Sequence, residues 1–172
     1  MQKHLVVVDR RLWDALSFAA ATARREFGGM IIGRRTRTGA VRAALQIPLA
    51  HYEADEDQVQ YDFDEVAHAR EVAHAIYGPD LEPVGAWHNH PWPNRCRKAL
   101  VPQITEEDID NMLVGDVELI VVTFPLRRRG AGDPGSPIVL ARTVGRGKIR
   151  VRLEAWVKTV EKEAERCRVS LR

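Results

Sequence analysis

Long apolar runs are missing from this chain. None exceeds four residues, whereas a membrane-spanning helix needs about 20. The stretch Leu5 to Val8 near the N-terminus is likewise too short for the apolar core of a secretion signal. Cysteine is scarce: Cys96 and Cys167 are the only two in 172 residues, which excludes a disulfide framework. Neither sign of charge dominates, because 26 Lys plus Arg against 24 Asp plus Glu leave +2. That balance points to neither nucleic acid nor a membrane surface. Internal repeats and a dividing linker are also absent. The expectation is one cytoplasmic domain over 1–172, without a membrane anchor.

What is present suits a packed fold. The hydrophobic content is 45%, and a chain of this length buries roughly 70% of its unfolded surface. Arg outnumbers Lys 21 to 5, a bias we read as genome composition rather than as a binding surface.

Periodicity predicts alternating strands and helices. A strand at Leu5 to Val8 precedes a helix from about Asp9 to Arg25, with Leu12, Leu16, Ala19, Ala20 and Ala23 at helical spacing. Gly28 to Gly33 reads as an apolar strand whose glycines admit close backbone approach. A strand at Val41 to Leu49 and an acidic loop at His51 to Gln58 follow. A second helix to Tyr77 turns Val66, Ala69, Ala73 and Ile76 inward. Next come a strand from Pro83 to His90, a proline-rich loop over 92–102, and a third helix from Thr105 to about Val114. Val117 to Phe124 is a buried strand. Ile138 to Val144 and Lys148 to Leu153 pair as a hairpin. A C-terminal helix over about 154–168 is expected, with Trp156, Val160, Ala164 and Cys167 on one stripe. The fold class is α/β, a mixed sheet flanked by helices.

Chemistry gathers at His88-Asn89-His90-Pro91. Residues i and i+2 of a strand face one side, so the two imidazoles point together, and imidazole suits zinc. A third ligand must come from another element, and Asp108 stands in the first turn of the helix beginning at Thr105. If the pair stood alone, two half-buried histidines with ordinary hydrogen bonds would be the better explanation. The pair does not stand alone. Glu26 leads into the apolar strand Gly28 to Gly33, where a carboxylate needs a cationic partner or a proton-transfer task.

Together these pieces resemble the JAMM (MPN-plus, Mov34-like) metalloprotease family. Glu26 precedes Gly29-x-Ile31-x-Gly33, then come His88-x-His90-Pro91 and Thr105-x-x-Asp108, in the family's order from about Leu12 to Phe124. Two departures are present. Seventeen residues separate His90 from Asp108 (108 − 90 − 1 = 17), more than the family carries, so 92–102 reads as an insertion beside the site. Threonine stands at position 105 where the family has serine.

The resemblance implies a cytidine-deaminase-like architecture and one zinc ion per chain, held by His88, His90 and Asp108. It implies that Glu26 is the general base and that the Thr105 hydroxyl supports the oxyanion. The implied activity is that of a prokaryotic stand-alone isopeptidase or peptidase. It would cut after the C-terminal glycine of a ubiquitin-like protein or its conjugate, with activating and conjugating enzymes encoded nearby, as in antiphage conjugation operons. Two other readings stand beside it. One is a non-catalytic MPN scaffold that binds a partner protein; the other is a nucleic-acid-associated relative, suggested by Asn89 and the Arg-rich loops.

Overall fold

The structure, a computed structural model, describes residues 4–23, 25–48, 52–54, 59–61, 63–90, 104–125, 140–144 and 149–172. In chain order the elements are β1 (Leu5–Val8), α1 (Arg10–Thr22), β2 (Gly28–Arg35), β3 (Val41–Pro48), β4 (Tyr52–Ala54) and β5 (Val59–Tyr61). There follow α2 (Phe63–Tyr77), β6 (Glu82–His90), α3 (Glu106–Asn111), β7 (Val117–Pro125), β8 (Leu140–Val144), β9 (Ile149–Val160), β10 (Glu163–Arg166) and β11 (Arg168–Leu171). Among the described residues no helix is long and apolar enough to cross a membrane.

Nine strands form one mixed sheet in the order β10-β9-β7-β6-β2-β3-β1-β11, with β8 also on β9. The β6–β7, β1–β3 and β1–β11 pairs are parallel, while β2–β3, β2–β6 and β7–β9 are antiparallel. β10 and β11 occupy opposite ends of that order yet only Cys167 lies between them in sequence. The sheet therefore curls until its ends meet. Cys167 N–H donates to Ala155 O and Arg168 N–H to His4 O, both at 2.8 Å.

α1 lies on one face of the sheet. Leu12, Trp13, Leu16 and Ala20 pack there with Ile31, Trp87, Leu119, Val121, Leu153 and Ala155. Each fully buried aliphatic side chain contributes roughly 1.5–3 kcal/mol of transfer free energy to this layer. α2 covers Met30 and Ile32 on the other face through Ala73, Val66 and Ala69. Ile76, expected inward with them, is 67% exposed.

Two glycines are dictated by the sheet. A Cβ at Gly29 would overlap the Ile47 carbonyl of β3. Gly85, with φ of +154°, lies where the β2–β6 register shifts: Ile31 pairs with Gly85 but Ile32 with Pro83, leaving Val84 as the extra residue. This bulge resets the alternation of β6. Val84 and Trp87 thereby share the α1 core, and His88 and His90 fall on the opposite face.

Three expected elements are corrected. Within the expected acidic loop, His51 to Gln58, Tyr52–Ala54 forms β4, which pairs antiparallel with β5 just beyond it, Tyr52 with Tyr61 and Ala54 with Val59. The third helix ends at Asn111. The C-terminal helix over about 154–168 is not formed: β9 runs through to Val160 and the chain turns into β10 and β11. Val151, Leu153, Ala155 and Val157 alternate into the core, a period of two rather than 3.6. Val160, expected on the helical stripe, is 52% exposed.

Candidate metal centre

β6 delivers both histidines to one place. Their ring centroids lie 4.9 Å apart with a 38° tilt, and Nε2 of His88 is 3.0 Å from Nε2 of His90. Asp108 arrives from α3, with Oδ1 at 3.8 Å from His88 Nε2. Ligand atoms about 2.0–2.1 Å from a tetrahedral zinc stand about 3.3 Å from one another, so the two observed separations lie on either side of that value. Among the described residues, no three or more His, Cys, Asp and Glu side chains are gathered closely enough to hold a metal ion as they stand. His88 Nε2 instead makes two separate pairwise approaches. In donor chemistry, two imidazole nitrogens and one carboxylate fit zinc.

Local sequence sets Asp108. Thr105 is the N-cap of α3, and its N–H and hydroxyl both donate to Asp108 Oδ2 at 2.8 Å. Asp108 N–H donates back to Thr105 Oγ1 at 3.1 Å. This capping box engages Oδ2 and leaves Oδ1 toward His88. At the other end of α3, the buried Lys158 ammonium donates to Ile109 O at 2.7 Å and Met112 O at 2.9 Å. A cation on the last carbonyls satisfies acceptors that the helix itself cannot.

Glu26 is 6% exposed, in the segment that enters β2. Asn89, fully buried between the two histidines, grips that segment on both sides of Glu26. Its Oδ1 accepts from Phe27 N–H at 2.8 Å, its N–H donates to Phe27 O at 3.1 Å, and its Nδ2 donates to Arg25 O at 3.4 Å. Phe27 then packs edge-on against Trp87, centroids 5.2 Å apart.

On the other side of His88, Nδ1 is 2.8 Å from Oε1 of Glu118. Burial pulls the His88 pKa down, but the hydrogen bond and charge of Glu118, with Asp108 and Glu26 adding theirs, outweigh it and hold it at about 9. Burial and then the His88 charge lower His90 to about 4. The 3.0 Å contact fits these opposite shifts, with the hydrogen on His88 Nε2 and the lone pair on His90 Nε2. Burial pushes the Glu118 carboxyl up, against the hydrogen bond and charge of His88 that pull it down.

All the residues expected at the site except Thr105 are at least partly buried around His88. Thr105 is exposed and its hydroxyl hydrogen is engaged by Asp108. The insertion 92–102, with Cys96, lies outside the described residues. Three participants escaped the sequence reading: Glu118, Lys158 and the clamp made by Asn89. A signal for Glu118 existed, since it is a carboxylate inside the apolar strand β7, the same anomaly that marks Glu26. Arg35 ends β2 and donates to Gly115 O, Val84 O and Asp116.

No protein-family model matches the chain, and no curated protein matches it in sequence. Its structure is similar to the solution structure of protein DSY2949 from Desulfitobacterium hafniense, with a TM-score of 0.63 and 14% identity over 97% of this chain and 92% of that one. The likeness bears on the fold alone: a mixed α/β arrangement dominated by one strongly curved sheet.

Proposed function

We propose that this chain is a JAMM-type zinc isopeptidase or peptidase acting at the C-terminal glycine of a ubiquitin-like protein. One observation carries the reading: the His88 and His90 Nε2 atoms meet at 3.0 Å with Asp108 Oδ1 at 3.8 Å from the first, beside buried Glu26. His88, His90 and Asp108 would hold zinc, which when bound supplies Lewis acidity toward a water and the scissile carbonyl. The remaining work falls to the chain. Glu26 takes a proton from the attacking water and returns it to the leaving amine. Asn89 keeps the Glu26 segment against β6. Thr105 fixes the orientation of Asp108, and the oxyanion role implied by the family requires its hydroxyl to leave Asp108 Oδ2. An extended substrate tail would bind as an added strand along a sheet edge.

The test is metal analysis of the purified protein together with hydrolysis of a ubiquitin-like conjugate. One zinc per chain and activity lost to chelator and regained with zinc are expected. A protein that takes up no zinc would overturn the reading. Retained binding of a partner in that zinc-free protein would leave the scaffold alternative, and salt-dependent DNA binding would favour the nucleic-acid relative.

A further inference from the structure

Glu118 lies in the middle of β7, between Val117 and Leu119 in an otherwise apolar stretch, and is 6% exposed. A carboxylate is not buried in such a strand without a partner that repays its lost hydration. The parallel β6–β7 pairing sets Ala86 beside Glu118 and His88 beside Ile120. Side chains at 86, 88, 118 and 120 therefore share one face of the sheet. Glu118 Oε1 reaches His88 Nδ1 at 2.8 Å, with both side chains buried. The other ring nitrogen of His88 is the atom that faces His90 and Asp108.

We infer that Glu118 is the positioning residue that fixes His88 as an Nε2 metal ligand. Its carboxylate holds the hydrogen on Nδ1, so the lone pair of the neutral ring stays on Nε2, and it locks the ring plane toward His90. A carboxylate behind a ligating imidazole also raises the basicity of the coordinating nitrogen. This role rests on the zinc reading above. Glu118 is outside the Glu, His-x-His and Thr-x-x-Asp pattern, and it acts through His88.

Two measurements decide it. Zinc affinity is read by competition against a chromogenic chelator for the wild type, Glu118→Gln and Glu118→Ala, with thermal melting of the metal-free proteins alongside. The expectation is that Glu118→Ala weakens zinc binding by about 10- to 100-fold. Glu118→Gln, which keeps an acceptor but not the charge, should fall between. An affinity unchanged within about twofold in a folded Glu118→Ala protein overturns the inference while leaving the zinc site standing. Wild type that binds no zinc defeats the zinc reading instead. Should the variants fail to fold, long-range proton–nitrogen NMR of the zinc-loaded wild type reads the His88 ring directly. A hydrogen on Nδ1 and none on Nε2 is expected, and the opposite pattern overturns the inference.

Discussion

Asn89 and Phe27 exchange two hydrogen bonds across 62 residues of chain: Oδ1 accepts from Phe27 N–H at 2.8 Å and Asn89 N–H donates to Phe27 O at 3.1 Å. The residue between the two histidines thus holds the backbone on which Glu26 is carried. Asn89→Ala removes the acceptor and leaves a part-buried N–H unpaired, which costs about 1–3 kcal/mol. In a domain of this size the melting temperature should fall by about 2–4 °C per kcal/mol. Zinc content should persist and kcat on a ubiquitin-like conjugate should drop. Normal kcat in the folded variant would show that the clamp does not serve Glu26.

Glu26→Gln keeps shape and removes the base. General acid–base groups are worth about 10²- to 10⁴-fold in rate, so kcat should fall by about that factor with zinc and fold retained. The variant should still bind conjugate. Loss of zinc on purification would make Glu26 a ligand, contrary to the arrangement proposed here.

Asp108→Ala should lose zinc and activity, while Cys96→Ser keeps both. The first change also removes half of the capping box with Thr105, so α3 should fray, at a cost of about 1 kcal/mol. Metal analysis giving the reverse pattern would move the third ligand to the thiol.

Lys158 is 5% exposed and donates to two carbonyls at the end of α3. Lys158→Met keeps the apolar stem and deletes both donors. Amide exchange over residues 106–111 should accelerate, and zinc affinity should fall because Asp108 is carried on that helix. Unchanged exchange there would assign the anchoring of α3 to other contacts.

Burial first, and then the charge of Glu165, push the Cys167 thiol up to about 12. At pH 8 a thiol reagent should leave Cys167 unmodified in the folded protein and label it after denaturation. The raised pKa means that the unfolded thiol ionises first as pH climbs. The contribution of Cys167 to stability is therefore intact below about pH 9, the ordinary thiol range, and is lost as pH rises from there toward 12. Rapid labelling of the native protein would contradict its burial.

Local patterns reached far into this molecule. The common face of His88 and His90 follows from strand periodicity alone, and Thr105-x-x-Asp108 carries its own helix start, so both were legible within a few residues. Gly29 and Gly33 of β2 were legible too as places of close backbone approach, because a side chain there would overlap β3. What failed depended on partners distant in the chain. Trp156, Val160, Ala164 and Cys167 have helical spacing, yet Val151, Leu153, Ala155 and Val157 alternate, and pairing of β9 with β7 decided between the two patterns. The bulge at Val84 and Gly85, which turns Trp87 toward α1 and the histidines away from it, exists only where β2 meets β6. Glu118 became a partner of His88 only through the parallel register of β6 and β7. Capping and period are properties of a few successive residues, written in the sequence. Register and strand neighbours are set by the free energy of burying whole faces against one another, and that is settled only when the sheet closes.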